Sequence, residues 1–250
     1  MNIRSVLKNV IGIDNRKSKP RGDSQNIYNI GELYHDFSLF RVKNAQLSGP
    51  FYLNQCCKAP IIQSYIALAI AKSKKNIDDH VTFAELFCAD GYYAMVATLF
   101  GATKSYGIDN NKDGYFDKAI QMAHLLKINN VEFINADITK SRLKCIENVD
   151  IVANIGGLYH VVDPVDILIK SYKLAKKYLI IQSVVSMANE DPHYFETPAP
   201  GWSWGCRFNK KSFHEMVQDQ GYNIYDYHFN ELVGNDRPED RGSVYYLIEK

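Results

Sequence analysis

Apolar and polar residues are distributed differently before and after residue 80. In the first part, the segment 59–75 has helical periodicity, and Pro60 suits its first turn. The apolar positions that recur at helical spacing are Ile62, Tyr65, Ile66 and Ala69. We predict that residues 1–80 form a helical extension that lies as a lid over residues 81–250, with Tyr52 and Asn54 on its inner side.

From residue 81, short apolar runs alternate with amphipathic segments that begin or end at glycine or proline. The two final apolar runs, 222–232 and 242–250, have no helix between them. The pattern predicts an α/β fold: a doubly wound, seven-stranded, mostly parallel sheet with a C-terminal antiparallel hairpin at one edge. The other strands are predicted at 81–87, 104–109, 131–137, 149–157 and 177–186, and helices at 91–101, 112–127, 164–175 and 210–221.

Composition and charge narrow the classes of partner. The chain is 46% hydrophobic and 23% charged, with a formal net charge of +1, so no overall field attracts polyanions. Basic residues cluster between Arg4 and Arg21, which indicates a solvated terminus more than a nucleic-acid patch. No apolar run approaches the roughly 18 residues of a membrane span, and no secretory signal is evident. The five cysteines lack CxxC spacing, so we expect reduced thiols, a cytoplasmic location and no metal site.

Three acidic residues stand at the ends of consecutive predicted strands. Glu85 closes the first strand before the turn CADG, Asp109 ends the second and Asp137 ends the third. Because ligands bind beyond the carboxyl ends of parallel strands, the three carboxylates are expected on one rim of the sheet. There Asp109 is placed to accept hydrogen bonds from both hydroxyls of a ribose, and Asp137 from an adenine amino group. The sequence therefore predicts a site for a nucleoside cofactor.

The residues of the turn after Glu85 help to distinguish between nucleoside cofactors. A nicotinamide dinucleotide needs the fingerprint G-x-G-x-x-G, and Phe87, Ala89 and Tyr92 stand at its three glycine positions. The carboxylate of Asp90 would also repel a pyrophosphate bound at this turn. A nicotinamide cofactor is therefore disfavoured.

The chain resembles the class I S-adenosylmethionine-dependent methyltransferases over residues 81–250. Glu85, Phe87, Ala89 and Gly91 occupy the family's first motif, acid-x-G-x-G-x-G, and the segments GIDNN, NADI and NIGGLYHVVDP are similar to its later motifs. The resemblance implies a methyltransferase with S-adenosylmethionine as cofactor. By the same resemblance, Glu85 and Gly91 lie beside the methionine, and Phe87, Cys88 and Ala89 are the further cofactor-binding residues of the turn. Asp109 holds the ribose, Asn110 flanks the adenine, Asp137 and Ile138 contact the adenine edge, and Asn154 closes the site after the fourth strand.

Phe87 and Ala89 replace two glycines of the first motif and leave two alternatives open. In one, both side chains point into the core while the amide groups of Cys88, Asp90 and Gly91 face the ligand. In the other, the loop is widened and the protein is a degenerate, non-binding relative. A hypothesis of a different class also stays open, a module that senses S-adenosylmethionine or serves as a scaffold without catalysis. The two acids that close the second and third strands favour the first alternative.

Two histidines are candidate catalytic residues. His160 follows the fourth strand, where the resemblance places the methyl group, and could remove a proton from an oxygen acceptor. Alternatively, His160 packs over the cofactor or caps nearby backbone. His193 lies in the long connection 189–208 on the same rim.

Aromatic residues beside charged groups predict the substrate side of the site. Such a surface suits a sugar or a nucleoside, which has both an apolar face and hydroxyls. Arg207 could pair with a phosphate or a carboxylate. The alternative is a rim loop that packs on the N-terminal helices. The candidate substrate residues are Tyr159, Tyr194, Glu196, Trp202, Trp204 and Arg207.

The class of acceptor is predicted from the same resemblance. The segment GLYHVVDP with its aromatic loop looks like bacterial enzymes that modify the wobble uridine of tRNA with a carboxymethyl group. It also looks like methyltransferases of nucleotide-linked sugars and of capsule or surface-polysaccharide precursors. The near-neutral charge makes a nucleic acid unlikely as partner. We expect O-methylation of a small-molecule acceptor, with no membrane partner, and leave a homodimer open.

Overall fold

The computed structural model describes residues 30–140 and 147–250, so the basic N-terminal cluster lies outside the described residues. Short 3-10 helices cover Phe37–Phe40, Leu158–His160 and Pro238–Asp240. The helices are α1 (Phe51–Ser73), α2 (Tyr92–Leu99), α3 (Tyr115–Leu126), α4 (Pro164–Leu174) and α5 (Lys210–Gln218). The strands are β1 (Thr82–Leu86), β2 (Lys104–Asp109), β3 (Val131–Asn135), β4 (Val149–Ile155), β5 (Ala175–Val185), β6 (Phe195–Glu196), β7 (Arg207–Phe208), β8 (Asn223–Glu231) and β9 (Gly242–Glu249).

Seven strands form one sheet in the order β3-β2-β1-β4-β5-β9-β8. Strands β1 to β5 run parallel, and β9 pairs antiparallel with both β5 and β8. The predicted doubly wound sheet with an antiparallel hairpin at its edge is confirmed. Leu86, at the end of β1, stands beside Ile108 of β2 and Asn154 of β4. The carboxyl ends of these three strands therefore meet where the strand order reverses, which is where such sheets bind ligands.

Helices cover both faces of the sheet and enclose two apolar clusters. The first cluster lies under α1, α2 and α3 and includes Phe37 and Ile66, and the second lies under α4 and α5 and includes Leu168 and Phe213. Residues from 30 onward contribute to the first cluster, so the described part of the N-terminal extension shares a core with the sheet. The domain boundary at residue 80 stays a prediction. Among the described helices, none combines the length and apolar character needed to cross a membrane.

Helix α1 begins at Phe51, directly after Pro50, and not near residue 59 as the periodicity predicts. Pro60 therefore lies inside the helix, and its placement in a first turn is wrong. Proline has no N–H, so the helix loses one backbone hydrogen bond there. Next to the missing bond, the carbonyl of Cys57 accepts from Asn230 Nδ2 of β8 at 3.1 Å. Pro60 deprives the carbonyl of Cys56, four residues earlier, of its helical donor, so the contact at Cys57 lies beside the missing bond and does not replace it.

The connection between β5 and α5 contains a short hairpin that the sequence does not predict. In it β6 pairs antiparallel with β7, with Glu196 opposite Arg207. The tip of the hairpin, residues 197–206, contacts the segment after β4, because Cys206 N donates to Tyr159 O at 3.0 Å. A Cβ at Gly205 would overlap that same oxygen, so glycine permits the close approach. The hairpin thereby holds aromatic residues of the connection on the rim.

Candidate active site

The turn between β1 and α2 has a left-handed backbone at all three glycine positions of the first motif. The φ angle is 59° at Phe87, 46° at Ala89 and 69° at Gly91. Such angles favour glycine, so phenylalanine and alanine keep the shape of the motif at a cost in strain. Gly91 N donates to Cys88 O at 2.7 Å, and Cys88 N donates to Ile108 O at 3.1 Å. The expectation that the Cys88 and Gly91 amides face a ligand is wrong, because both are engaged within the protein.

The ring of Phe87 lies against Gly157, at the start of the turn after β4. A Cβ at Gly157 would overlap the ring and would stand 2.5 Å from Asn154 Oδ1. Phe87 also packs beside the apolar cluster under α4 and α5. Its side chain is therefore directed toward the core, as the first of the two alternatives for this loop predicts. Gly157 provides the space for a ring that the usual motif does not contain.

Two carboxylates connect the turn to its neighbours. Glu85 is 2% exposed, and its Oε2 accepts from Ala94 N of α2 at 2.7 Å. Burial, with the nearby charges of Asp90 and Asp109, raises the pKa of Glu85 well above its ordinary value. Asp109 accepts from Ala89 N at 3.1 Å with one oxygen and from Asn111 N at 2.8 Å with the other. The carboxylate at the end of β2 therefore fixes the turn that follows β1.

The residues of the later motifs lie farther along the rim. Asn110 is exposed, and Ile138 is buried in the second apolar cluster. Asp137, two residues beyond β3, accepts from the Thr139 hydroxyl at 2.6 Å, and this bond, with the charge of Lys140, lowers the pKa of Asp137. The role of each in binding a cofactor stays a prediction.

Asn154 is the one predicted cofactor residue with an unsatisfied polar atom in the described part of the chain. The residue is fully buried, and its Nδ2 donates to Ser171 Oγ at 3.0 Å. Its Oδ1 has no hydrogen-bond partner there. An unpaired buried oxygen is costly, so it is a candidate for a donor supplied by a ligand.

Asp90, in the same turn, binds the N-terminal segment. It is fully buried, and its Oδ2 accepts from Tyr34 N at 2.8 Å and from His35 N at 2.9 Å. Its other oxygen lies 2.6 Å from His35 Nδ1. The segment before α1 is thus attached to the turn of the first motif. Sequence reasoning missed this contact, because its partners stand 55 residues apart and carry no recognisable spacing.

His160 stacks on a tryptophan of the hairpin tip. The His160 and Trp204 rings are 5.0 Å apart and within 2° of parallel, and the Tyr159 ring lies 4.3 Å from His160. Desolvation by its neighbours, followed by the positive charge of Arg207, lowers the pKa of His160, and the exposure of the residue to solvent limits this shift. His160 is therefore a neutral imidazole near pH 7. Its stacking fits the packing alternative, and its neutral state leaves it able to accept a proton.

Arg207 is already paired within the protein. It is 3% exposed, its Nη2 lies 2.7 Å from Asp240 Oδ1, and its guanidinium stacks on Tyr159 with the centroid 5.3 Å away. Because Asp240 neutralises its charge, the prediction that Arg207 binds a substrate anion lacks structural support. Through these contacts with Asp240 and Tyr159, Arg207 stabilises the position of the hairpin instead.

The second candidate catalytic residue, His193, and the remaining candidate substrate residues lie at the two ends of the hairpin. At the base, His193 Nδ1 lies 3.3 Å from Glu215 Oε2 of α5, and the Tyr194 hydroxyl donates to Glu196 at 2.9 Å. At the tip, Trp202 is 45% exposed, and its ring lies 5.0 Å from that of Trp204. The structure thus brings together a rim cluster of Tyr159, His160, Trp202 and Trp204. Over residues 30–140 and 147–250, no group of three or more His, Cys, Asp or Glu side chains could hold a metal ion.

Comparisons with known proteins agree with this geometry. A family profile described as methyltransferase domain matches residues 77–227. No curated protein sequence matches the chain. Among solved structures, the magnesium protoporphyrin IX methyltransferase ChlM from Synechocystis PCC 6803 with bound S-adenosylmethionine is 15% identical, with 83% of this chain and 86% of that chain covered and a TM-score of 0.58.

Two further structures share the fold. The N-terminal domain of EvdMO1, in the presence of S-adenosylhomocysteine and D-fucose, is 13% identical, with 90% of this chain and 94% of that chain covered and a TM-score of 0.61. TehB from Haemophilus influenzae is 16% identical, with 74% of this chain and 61% of that chain covered and a TM-score of 0.53. The matched family range covers more than half of the sequence and every rim residue from Glu85 to Arg207. The chain therefore belongs to the methyltransferase domain family, which confirms the predicted enzyme class, a methyltransferase that uses S-adenosylmethionine.

Proposed function

We propose that the chain transfers a methyl group to an oxygen of a small polar acceptor. The acceptor is a carbohydrate or a phosphorylated, nucleotide-linked metabolite of the kind used in surface-polysaccharide synthesis. The observation that carries this proposal is the rim cluster, in which exposed tryptophan rings stand beside His160. Aromatic faces bind the apolar face of a sugar and leave its hydroxyls free for polar contacts. The sugar present with the EvdMO1 domain supports the same class.

The residues around the first turn fit S-adenosylmethionine. Each oxygen of Asp109 accepts one backbone N–H, which leaves lone pairs for the hydroxyls of a ribose. The unpaired Oδ1 of Asn154 and the buried carboxyl of Glu85 offer acceptors for the amino group of the methionine. When bound, the cofactor supplies a methyl group on a positively charged sulfur. We assign Asn110, Asp137 and Ile138 to the adenine side.

His160 is assigned the role of proton acceptor for the hydroxyl of the acceptor. Its neutral imidazole has a lone pair at neutral pH, and stacking on Trp204 fixes the plane of the ring. Most of the rate enhancement in methyl transfer comes from alignment of the reacting atoms, so a fixed ring also positions the acceptor. His193 faces α5 instead, and we assign it no proton transfer.

The proposal is tested by incubating the protein with a methyl-labelled cofactor and a cell extract separated into small-molecule and RNA fractions. We expect label in the small-molecule fraction, and much less label when Asp109→Ala replaces the wild-type protein at a limiting concentration of cofactor. Label in the RNA fraction would contradict the proposed acceptor. Binding of S-adenosylhomocysteine without any labelled product would instead indicate a binding module.

A further inference from the structure

Lys58 is a buried lysine of α1 that forms no ion pair with any described residue. The residue is 5% exposed, and among the described residues no carboxylate oxygen lies within 4.0 Å of its Nζ. Burial lowers the pKa of Lys58 to about 8. A lysine that serves only the fold usually pairs, as Lys177 does with Asp150 at 3.1 Å, or extends into solvent. Lys58 does neither, so its charge is uncompensated by the described protein.

The neighbours of Lys58 place it above the rim. Its Nζ lies 5.9 Å from the centre of the Tyr34 ring, and the backbone of Tyr34 is held by Asp90 of the first turn at 2.8 Å. The charge of Lys58 is also one of those that lower the pKa of His160. The ammonium group of Lys58 therefore lies near the part of the rim that contains both the first turn and the rim cluster.

Two tyrosine hydroxyls accompany the lysine. Burial raises the pKa of Tyr34 well above its ordinary value, and Tyr159 is the largest contributor after burial. Burial also raises the pKa of Tyr159. Both phenols are therefore neutral donors at pH 7, and neither is hydrogen-bonded to another residue in the described ranges. The carboxylate of Asp90 also acts on Tyr34, and that of Asp240 on Tyr159, but neither forms an ion pair with Lys58. One ammonium and two hydroxyl donors on this part of the rim form the donor set of an anion site.

We propose that Lys58, with the hydroxyls of Tyr34 and Tyr159, binds an anionic group of the acceptor, a carboxylate or a phosphate. The inference rests on the proposed function and narrows it, since the acceptor is then an acidic or phosphorylated molecule and not a neutral sugar. Lys58 takes the role that the sequence assigned to Arg207, whose charge Asp240 already neutralises. The same chemistry could come from the carboxylate of the cofactor, and the experiment separates the two sources.

The test measures thermal unfolding of the full chain saturated with S-adenosylhomocysteine, in inorganic phosphate and in chloride of equal ionic strength. We expect phosphate to raise the Tm of the wild type and of Lys72→Met by about 2–4 °C, and to leave that of Lys58→Met unchanged. Lys72 is the matched control, because it lies in the same helix but is exposed, 4.6 Å from the Tyr225 ring. Tyr34→Phe keeps the aromatic ring and leaves the charge of Lys58 in place, but it removes the hydroxyl donor. It should therefore reduce the rise in Tm that phosphate causes. An equal shift in all variants, or none in the wild type, would overturn the inference.

A second measurement identifies the source of the anion. Calorimetry should give dissociation constants for S-adenosylhomocysteine that agree within about threefold between the wild type and Lys58→Met. A larger loss in Lys58→Met would place the lysine on the cofactor carboxylate and overturn the inference.

The labelled product gives an independent result. It should be retained by an anion exchanger, and a labelled product that passes through would overturn the anion site while leaving the proposed function intact. Failure of the proposed function has a different signature, which is label in RNA or no label at all.

Discussion

Asp109→Ala is expected to weaken binding of S-adenosylhomocysteine by about 10- to 100-fold. A hydrogen bond to a charged group contributes about 1.5–3 kcal/mol, and each 1.4 kcal/mol is roughly tenfold in affinity. The same carboxylate also accepts from Ala89 N at 3.1 Å and Asn111 N at 2.8 Å. Alanine therefore removes the proposed ribose partner and releases the turn that carries the first motif. Isothermal calorimetry at fixed salt measures the change directly.

Two variants control for the charge and for the fold. Glu132→Ala removes an exposed carboxylate of β3 that pairs with Lys104 at 2.7 Å, and it should bind as tightly as the wild type. Asp109→Asn keeps one oxygen acceptor and should show an intermediate loss. A folded Asp109→Ala protein with unchanged affinity would refute the assignment of Asp109 to the ribose.

His160→Ala is expected to lower kcat about 100-fold on the labelled acceptor, with little change in cofactor affinity. General-base catalysis contributes roughly 100- to 10,000-fold, and a base whose pKa lies well below the working pH belongs at the lower end. A base must be unprotonated to act, so kcat should rise with pH through the pKa of His160 and then level off. Because the pKa of His160 is lowered, the midpoint should fall below pH 6.5. The pH–rate profile of the wild type measures it.

The control for His160 changes its neighbour and keeps the imidazole. Trp204→Leu removes a ring 5.0 Å from His160 and exposes the imidazole to water, which should move the midpoint toward higher pH. If His160→Ala leaves kcat unchanged and weakens S-adenosylhomocysteine binding instead, His160 is a packing residue over the cofactor.

The sheet was predictable because its pattern is local. Strands β1, β4, β5 and β9 are runs of mostly buried residues, whereas β3 and β8 at the two edges are half-buried or exposed. Asp109 ends β2, and Glu85 is the penultimate residue of β1. The hairpin of β6 and β7 was not predictable, since two-residue strands have no period to detect. The interior position of Pro60 was not predicted, because proline is common in the first turn of a helix and is disfavoured in its interior.

The contacts of the candidate site could be predicted only where the two partners lie close together in the sequence. The pairing of Asp90 with His35 spans 55 residues, and that of Arg207 with Asp240 spans 33, so neither leaves a local pattern. The residue that accommodates the replacement of the motif glycine at position 87 is also distant in the sequence. The ring of Phe87 occupies space that Gly157 leaves open, while the backbone keeps the left-handed angles that the motif needs. Gly157 thus accommodates the side chain that replaces a motif glycine at position 87.

The central claim is that the turn from Glu85 to Gly91 holds S-adenosylmethionine although two of its glycines are absent. Titration of S-adenosylhomocysteine into the purified protein by calorimetry, with NAD as the parallel control, tests it most directly. The account predicts a micromolar dissociation constant for S-adenosylhomocysteine and no heat of binding for NAD. Absence of S-adenosylhomocysteine binding by the folded protein would contradict it, and would mean that Phe87 and Ala89 have closed the site.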